Sequence, residues 1–160
     1  MARPIRLIID NSIHHVMTRG NQKQKTFLDS RDYQKYIEIL KHYKYKFWFK
    51  LFGYCLMPNH VHLIIKIKQG KDLQKIIQGL NQTYTIWFNQ KYDKIGHLWQ
   101  GRYKSMLIQN NSYLIDCIEY VELNPVRAGL VKKPTSYLWS SCHSRLQSVG
   151  NELLNEVENT

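Results

Sequence analysis

Tyr54-Cys55-Leu56-Met57-Pro58-Asn59-His60-Val61-His62-Leu63-Ile64-Ile65 is the stretch whose reading decides the fold of this chain. Two apolar, β-prone runs flank Met57-Pro58-Asn59, and a proline beside an asparagine between such runs marks a turn. The pattern predicts a strand from Phe47 to Leu56, a tight turn, and an antiparallel return strand from His60 to Ile67. Side chains alternate along a strand with period two, so His60 and His62 point to the same face. Two imidazoles side by side can hold one divalent cation, provided a third protein ligand is supplied from elsewhere.

Ahead of the hairpin, Ile13 to Thr18 reads as a first strand, ended by Arg19-Gly20-Asn21. Asp29 or Ser30 can cap a helix running to about Lys44, with Tyr33, Tyr36, Ile37, Leu40 and Tyr43 on its apolar face. Beyond the hairpin, Gly70 breaks the strand and Asp72 can cap a second helix reaching about Gln90. Leu98 to Ile108 holds a looser extended segment. Asn111 or Ser112 opens a third helix, closed by Asn124-Pro125, because the residue before proline resists the α conformation. The order βαββαβα predicts an α+β sandwich, an antiparallel sheet with helices on one face. No repeat or linker divides it. Residues 1–146 read as one domain and residues 147–160 as a polar, acidic tail, a frayed helix at most.

With 160 residues, 43% of them hydrophobic, the chain is long enough for one domain with a real core. A formal charge of +11 and a pI near 9.6 point to a polyanionic partner, or to lysines that only keep the protein soluble. After Arg145 there are three glutamates and no lysine or arginine, so the remainder is more basic still. No apolar run approaches the roughly 20 residues of a membrane span. Met1-Ala2-Arg3-Pro4-Ile5-Arg6 lacks the apolar core of a signal peptide, which predicts a cytoplasmic protein. Cys55, Cys117 and Cys142 are odd in number and scattered, as reduced cytosolic cysteines are.

The third helix supplies candidates for chemistry. Tyr120 and Asn124, four residues apart, share a face, and Asp116 lies on the same stripe one turn earlier. Glu122 points the other way and reads as a solvated charge. A tyrosine beside a metal-liganding amide is the geometry an aryloxide nucleophile needs at a metal-bound phosphate. In the run Asn124-Pro125-Val126-Arg127-Ala128-Gly129, Gly129 permits positive φ and Arg127 can hold carbonyls or a phosphate. Arg19, Arg102 and Lys104 sit beside glycines or a tyrosine and could clamp a backbone, and Trp99, Tyr103 and Trp139 could stack on unpaired bases. Core aromatics and solvated charges explain each of these residues equally well taken singly. No nucleotide-hydrolysis loop is present, which suits a transesterification that needs no ATP.

Five blocks occur in order: His14-His15-Val16-Met17-Thr18-Arg19-Gly20-Asn21, Met57-Pro58-Asn59-His60-Val61-His62-Leu63-Ile64, Leu98-Trp99-Gln100-Gly101-Arg102-Tyr103-Lys104-Ser105, Tyr120-Val121-Glu122-Leu123-Asn124-Pro125-Val126-Arg127-Ala128-Gly129 and Tyr137-Leu138-Trp139-Ser140-Ser141. Together they resemble the single-tyrosine HUH transposases of insertion sequences, and within them the REP-associated tyrosine transposases, over Arg3 to Leu146. The resemblance implies a ferredoxin-like (RRM-like) palm whose antiparallel sheet carries the histidine pair, followed by a C-terminal helix bearing the tyrosine. It implies Mg²⁺ or Mn²⁺ held by His60, His62 and Asn124, with Asp116 the alternative third ligand. Tyr120 would be the nucleophile on single-stranded DNA beside hairpins of imperfect palindromes, leaving a 5′-phosphotyrosine and a free 3′-hydroxyl. Arg19, Arg102, Lys104 and Arg127 would contact DNA. Monomer and homodimer both fit the resemblance, the nucleoid is the implied location, and the REP-associated branch favours a host-domesticated role. The short acidic tail departs from the basic extensions some relatives use on DNA.

Two other classes compete with a strand-transfer enzyme. A ferredoxin-like sheet with aromatics can bind single strands without chemistry, and a metal-dependent nuclease could use water in place of tyrosine, with no covalent protein–DNA species.

Overall fold

The computed structural model describes residues 8–147 and 152–158. Its centre is the hairpin. Strand β2 (Lys50–Met57) turns through Pro58 and Asn59 into β3 (His60–Lys66), with Met57 opposite His60 and Cys55 opposite His62. Strand β1 (Ile13–Arg19) pairs antiparallel with the other side of β3, placing Arg19 opposite His60 and Met17 opposite His62. Strand β4 (Lys104–Ile108) pairs antiparallel with β1, giving the order β2-β3-β1-β4. Helix α1 (Ser30–Phe47) joins β1 to β2, and α2 (Asp72–Tyr92) joins β3 to β4. This is the ferredoxin-like arrangement, with the histidine strand in the interior of the sheet.

Period-two alternation gives the sheet two faces with different roles. Val16, Tyr54, Leu56, Val61, Leu63 and Ile65 point to α1 and α2 and form the main core with Leu40, Ile76, Leu80, Tyr84 and Phe88. Cys55, Met57 and Ile64 point the other way, to Leu114, Cys117 and Val121 of α3 (Asn111–Glu122). The helices therefore do not share one face, as the element order alone suggested. α3 packs on the histidine face, where Phe52, Cys55, Met57 and Ile64 give the sheet an apolar surface for its stripe to cover. It covers the β2 side and leaves the β1–β4 side open, where Met106 is half-exposed.

Several boundaries differ from the sequence expectation. Phe47 closes α1 instead of opening β2, the helix ending at Trp48 in the left-handed conformation. The segment from Leu98 pairs first with the end of β1, Gln100 N–H donating to the Arg19 carbonyl at 2.8 Å. It breaks at Gly101 (φ 58°) and pairs again only from Lys104. Asn110, one residue earlier than expected, caps α3 by accepting from Tyr113 N–H. α3 closes at Glu122, just ahead of Asn124-Pro125 as expected, but a separate short helix α4 (Asn124–Arg127) then follows, with Gly129 at φ 73° and, later, α5 (Ser141–Leu146). The expected frayed tail falls partly outside the described residues. Its described part, residues 152–158, runs extended along β2. Leu51 N–H donates to Asn155 Oδ1 at 3.0 Å, Asn155 N–H donates to the Leu51 carbonyl at 2.7 Å, and Leu153 is buried.

The loop after β1 fixes the hairpin tip. Gly20 N–H donates to the Asn59 carbonyl at 2.8 Å, and Thr26 N–H to the Pro58 carbonyl at 2.8 Å. A Cβ on Gly20 would lie 2.3 Å from the Gln24 carbonyl oxygen, so only glycine permits this approach. The first residue of β3, His60, is thus held at a clamped turn.

Asp29 and Asp32 form the capping box that starts α1. The Asp32 carboxylate is fully buried and accepts from Leu28 N–H, Asp29 N–H, the Tyr92 hydroxyl and Lys91 Nζ, which ties the start of α1 to the end of α2. Asp32→Ala leaves these donors without their acceptor, and urea unfolding is expected to register a loss of about 2–4 kcal/mol. A loss below about 0.5 kcal/mol, the scale of an ordinary surface substitution, would contradict the assignment.

Candidate active site

Three histidines meet on the half-open face. His60 is partly buried, and its Nδ1 lies 2.7 Å from Asn59 Oδ1. A carboxamide oxygen can only accept, so Nδ1 carries the proton and Nε2 keeps its lone pair. His62 is 4% exposed, with its ring centroid 5.0 Å from that of His60 and the planes nearly perpendicular. Its Nδ1 lies 2.9 Å from His15 Nε2. His15 comes from β1, where its backbone partner is Ile64, and it reaches diagonally to His62.

Burial pushes the His60 pKa down to about 4, assisted by the Arg19 guanidinium. Burial pushes His62 down to about 3, with further contributions from His15, His60, Arg127 and Arg19. Burial also lowers His15. All three imidazoles are neutral at pH 7, the state in which an imidazole can donate its lone pair to a cation.

Tyr120, on the last turn of α3, is half-exposed and stands edge-on to His15, ring centroids 6.3 Å apart. Arg127 packs over the Tyr120 ring, its Cζ 4.1 Å from the centroid, and its Nη2 donates to the Tyr120 carbonyl and to Asn124 Oδ1 at 3.3 Å. Asn124 Nδ2 is buried and has no protein partner among the described residues. Pro125 explains why the stripe survives past α3. It occupies the first turn of α4, where its missing N–H costs little, and Leu123 stays in the right-handed helical region. Tyr120, Asn124 and Arg127 therefore remain on one face at helical spacing.

The other residues singled out in the sequence fall differently. Asp116 is exposed, and among the described residues no group of three histidine, cysteine, aspartate or glutamate side chains is arranged to hold a metal ion, so Asp116 does not complete a set with His60 and His62. Arg19, Arg102 and Lys104 do converge, lining with Met17 and Gln100 a hollow of about 130 Å³ on the open side of this face. Trp99 and Tyr103 are buried core residues, and Trp139 stacks on Tyr33 at 4.8 Å, so none is presented for stacking on a base. Glu122 is no solvated charge: it accepts from Ser141 Oγ at 2.6 Å and pairs with Arg145. His15 has no role in the sequence expectation, although its same-face alternation on β1 is visible there. The register that brings it to His62 is not.

Residues 9–124 match the family described as transposase IS200 like. The chain belongs to the IS200-like transposases. A Haemophilus influenzae protein assigned to the REP-associated tyrosine transposases is 29% identical over 119 residues, 68% of this chain and 65% of that one. The REP-associated tyrosine transposase of Escherichia coli K12 is 24% identical over 96 residues, 59% of this chain and 55% of that one. The alignments thus span less than two thirds of the length of these relatives. The solved structure of a REP-associated tyrosine transposase bound to a REP hairpin shares the fold, with a TM-score of 0.76 at 18% identity over 98% of this chain and 93% of that one. Among the described residues of this IS200-like transposase, no helix is long and apolar enough to cross a membrane.

The depressed histidine pKa values make a prediction about acid. In the unfolded chain both groups take up protons near pH 6.5, whereas in the fold they do so only near 4 and 3. Between these limits the unfolded state binds more protons, so stability is full above about pH 6.5, declines as pH falls toward 4 and 3, and levels off below. An NMR titration is expected to find His62 still neutral at pH 5. A midpoint near 6.5 would contradict the buried, crowded environment.

Proposed function

We propose that this chain cleaves and rejoins single-stranded DNA beside hairpins formed by palindromic repeats, using Tyr120 as nucleophile and a divalent cation held by His60, His62 and Asn124. The observation that carries the reading is the convergence of α3, α4 and the histidine strand: Tyr120 lies against His15, His15 bonds to His62, and Arg127 joins Tyr120 to Asn124. Membership in the IS200-like transposases and the likeness to REP-associated enzymes support it.

The donor set fits a divalent cation. His60 offers Nε2 because Asn59 engages Nδ1, and His62 can do the same through His15. Asn124 Oδ1 has a second lone pair beyond the one facing Arg127, and its buried Nδ2 lacks a protein partner among the described residues. These are neutral ligands, so the compensating charge would come from DNA. Mg²⁺ or Mn²⁺ bound there would withdraw charge from the scissile phosphate and orient it.

The chain's own residues account for the rest. The Tyr120 phenolic oxygen attacks phosphorus, forming a tyrosyl–phosphate bond to the 5′ side as the bond to the 3′ oxygen breaks. The phenolic proton leaves to water and the 3′ oxygen ends as a hydroxyl. Rejoining runs the same exchange backwards, with a 3′-hydroxyl attacking the phosphotyrosine and releasing Tyr120. One phosphoester replaces another, so no nucleotide need be hydrolysed. Arg127 limits rotation of the Tyr120 ring by stacking on it. Arg19, directly across the sheet from His60, leads from the site to the hollow it shares with Arg102 and Lys104, where the DNA backbone would be gripped. The edge-on contact of Tyr120 with His15 of its own chain supports use of the tyrosine in cis, by a monomer or by each subunit of a homodimer. A DNA substrate of this kind places the protein with the chromosome in the cytoplasm.

Labelled hairpins incubated with Mn²⁺ are expected to give a covalent protein–DNA band on a denaturing gel, absent in Tyr120→Phe, which should still bind the hairpin. Cleavage without the band would favour hydrolysis by water, and binding with neither would favour a recognition module. Binding should also weaken steeply with salt. Arg19→Ala is expected to reduce the slope of log K against log salt by about 0.7–0.9, one phosphate contact, and an unchanged slope would remove Arg19 from the grip.

A further inference from the structure

His62 is the more buried of the paired histidines, and its Nδ1 lies within hydrogen-bond distance of another imidazole nitrogen, His15 Nε2 at 2.9 Å. Two neutral rings at this distance share one proton, which allows two arrangements. If His15 donates from Nε2, the His62 proton must sit on its own Nε2 and that nitrogen has no lone pair for a cation. If His62 donates from Nδ1, its Nε2 is left basic and His15 carries its proton on Nδ1. The choice decides whether His62 can be a ligand at all.

We propose that His15 is a positioning residue that accepts the His62 Nδ1 proton and so holds His62 in the tautomer able to bind a divalent cation. The inference rests on the reading of His60 and His62 as metal ligands. The neighbouring histidine supplies an internal precedent: Asn59 Oδ1 accepts the His60 Nδ1 proton at 2.7 Å and leaves Nε2 basic. His15 would do for His62 what Asn59 does for His60, and the two rings would present the same nitrogen. The cross-strand neighbours of His62 offer no substitute, because Met17 and Cys55 carry a thioether and a thiol, both weak acceptors. Without His15, the Nδ1–H of a nearly buried ring would be unpaired, and the proton would be driven to the other nitrogen. A cation on Nε2 would in turn make Nδ1–H a stronger donor, so each contact would reinforce the other.

The alternative role for His15, direct coordination, finds no support in the geometry. Its Nε2 is occupied by the back of His62, and among the described residues the three histidines do not form a group arranged around one ion. Its edge-on contact with Tyr120 at 6.3 Å adds a second consequence, since the ring that orients His62 also borders the nucleophile.

Long-range ¹H–¹⁵N spectra of the metal-free protein at pH 7.5 test the proposal directly, and His62 is expected as the Nδ1–H tautomer. His15→Gln retains an acceptor near the position of Nε2, whereas His15→Phe retains a ring without one. By EPR titration, His15→Phe is expected to weaken Mn²⁺ binding about 10- to 100-fold, while His15→Gln stays within about threefold of the unsubstituted protein. An Nε2–H tautomer of His62 in the unsubstituted protein overturns the proposal, as does His15→Phe with unchanged Mn²⁺ affinity. The tautomer spectrum decides even where His15→Phe fails to fold. His60→Ala separates the two readings. If it binds Mn²⁺ as tightly as its parent, the ligand assignment itself fails; if it binds weakly while His15→Phe does not, only the role of His15 fails.

Discussion

Everything at the candidate site depends on the antiparallel register between β1 and β3. A strand gives each side chain to one face or the other, and shifting the pairing by one residue would send every side chain of β3 to the opposite face. With Met17 opposite His62 and Arg19 opposite His60, the histidines share a face with His15 and Arg19, while Val61, Leu63 and Ile65 enter the main core. The buried aliphatic residues thus secure the register, and the polar residues on the other face inherit it. Hydrophobic packing on one side of the sheet is what aligns the chemistry on the other.

The second element of the site is a junction of two helices at a proline, where α3 gives way to the short α4. Pro125 lacks an N–H and disfavours helix in the residue before it, yet the first turn of a helix needs no N–H from the chain. α3 ends at Glu122 and α4 begins at Asn124, with Leu123 between them in the right-handed region at φ −84° and ψ −7°. Tyr120, Asn124 and Arg127 keep a common face across the junction. Arg127 fastens it by bonding back to the Tyr120 carbonyl.

Local periodicity was legible in the sequence. The turn at Pro58-Asn59, the shared face of His60 and His62, the four-residue spacing of Tyr120 and Asn124, and the apolar stripes of α1 and α2 are all set by distances of a few residues. Features that depend on pairing across the fold were not legible. His15 lies 47 residues from His62, and only the strand register joins them. Trp99 and Tyr103 looked available because the loop around Gly101 is polar, but both turn inward to the core between the sheet and α2. Glu122 looked solvated because its partners, Ser141 and Arg145, arrive from α5. The helix–face assignment failed for the same reason. Element order gives only the succession of helices and strands, whereas the apolar surface that each face of the sheet offers decides where each helix packs.

The docked tail gives the molecule a direction. β2 is one of the two outer strands; Asn155 pairs with Leu51 at one end of its rim and Trp139 and Ser140 with Leu56 and Cys55 at the other, while Glu152 pairs with Lys41 and Glu158 with Lys50. That border is both sealed against a further strand and stripped of part of its positive charge. At the opposite border, no additional strand pairs with β4 among the described residues, and no ion pair there involves Arg19, Arg102 or Lys104. Lys41 and Lys50 are thus engaged by the chain's own carboxylates, whereas the cations lining the hollow keep their full charge for an anion from outside.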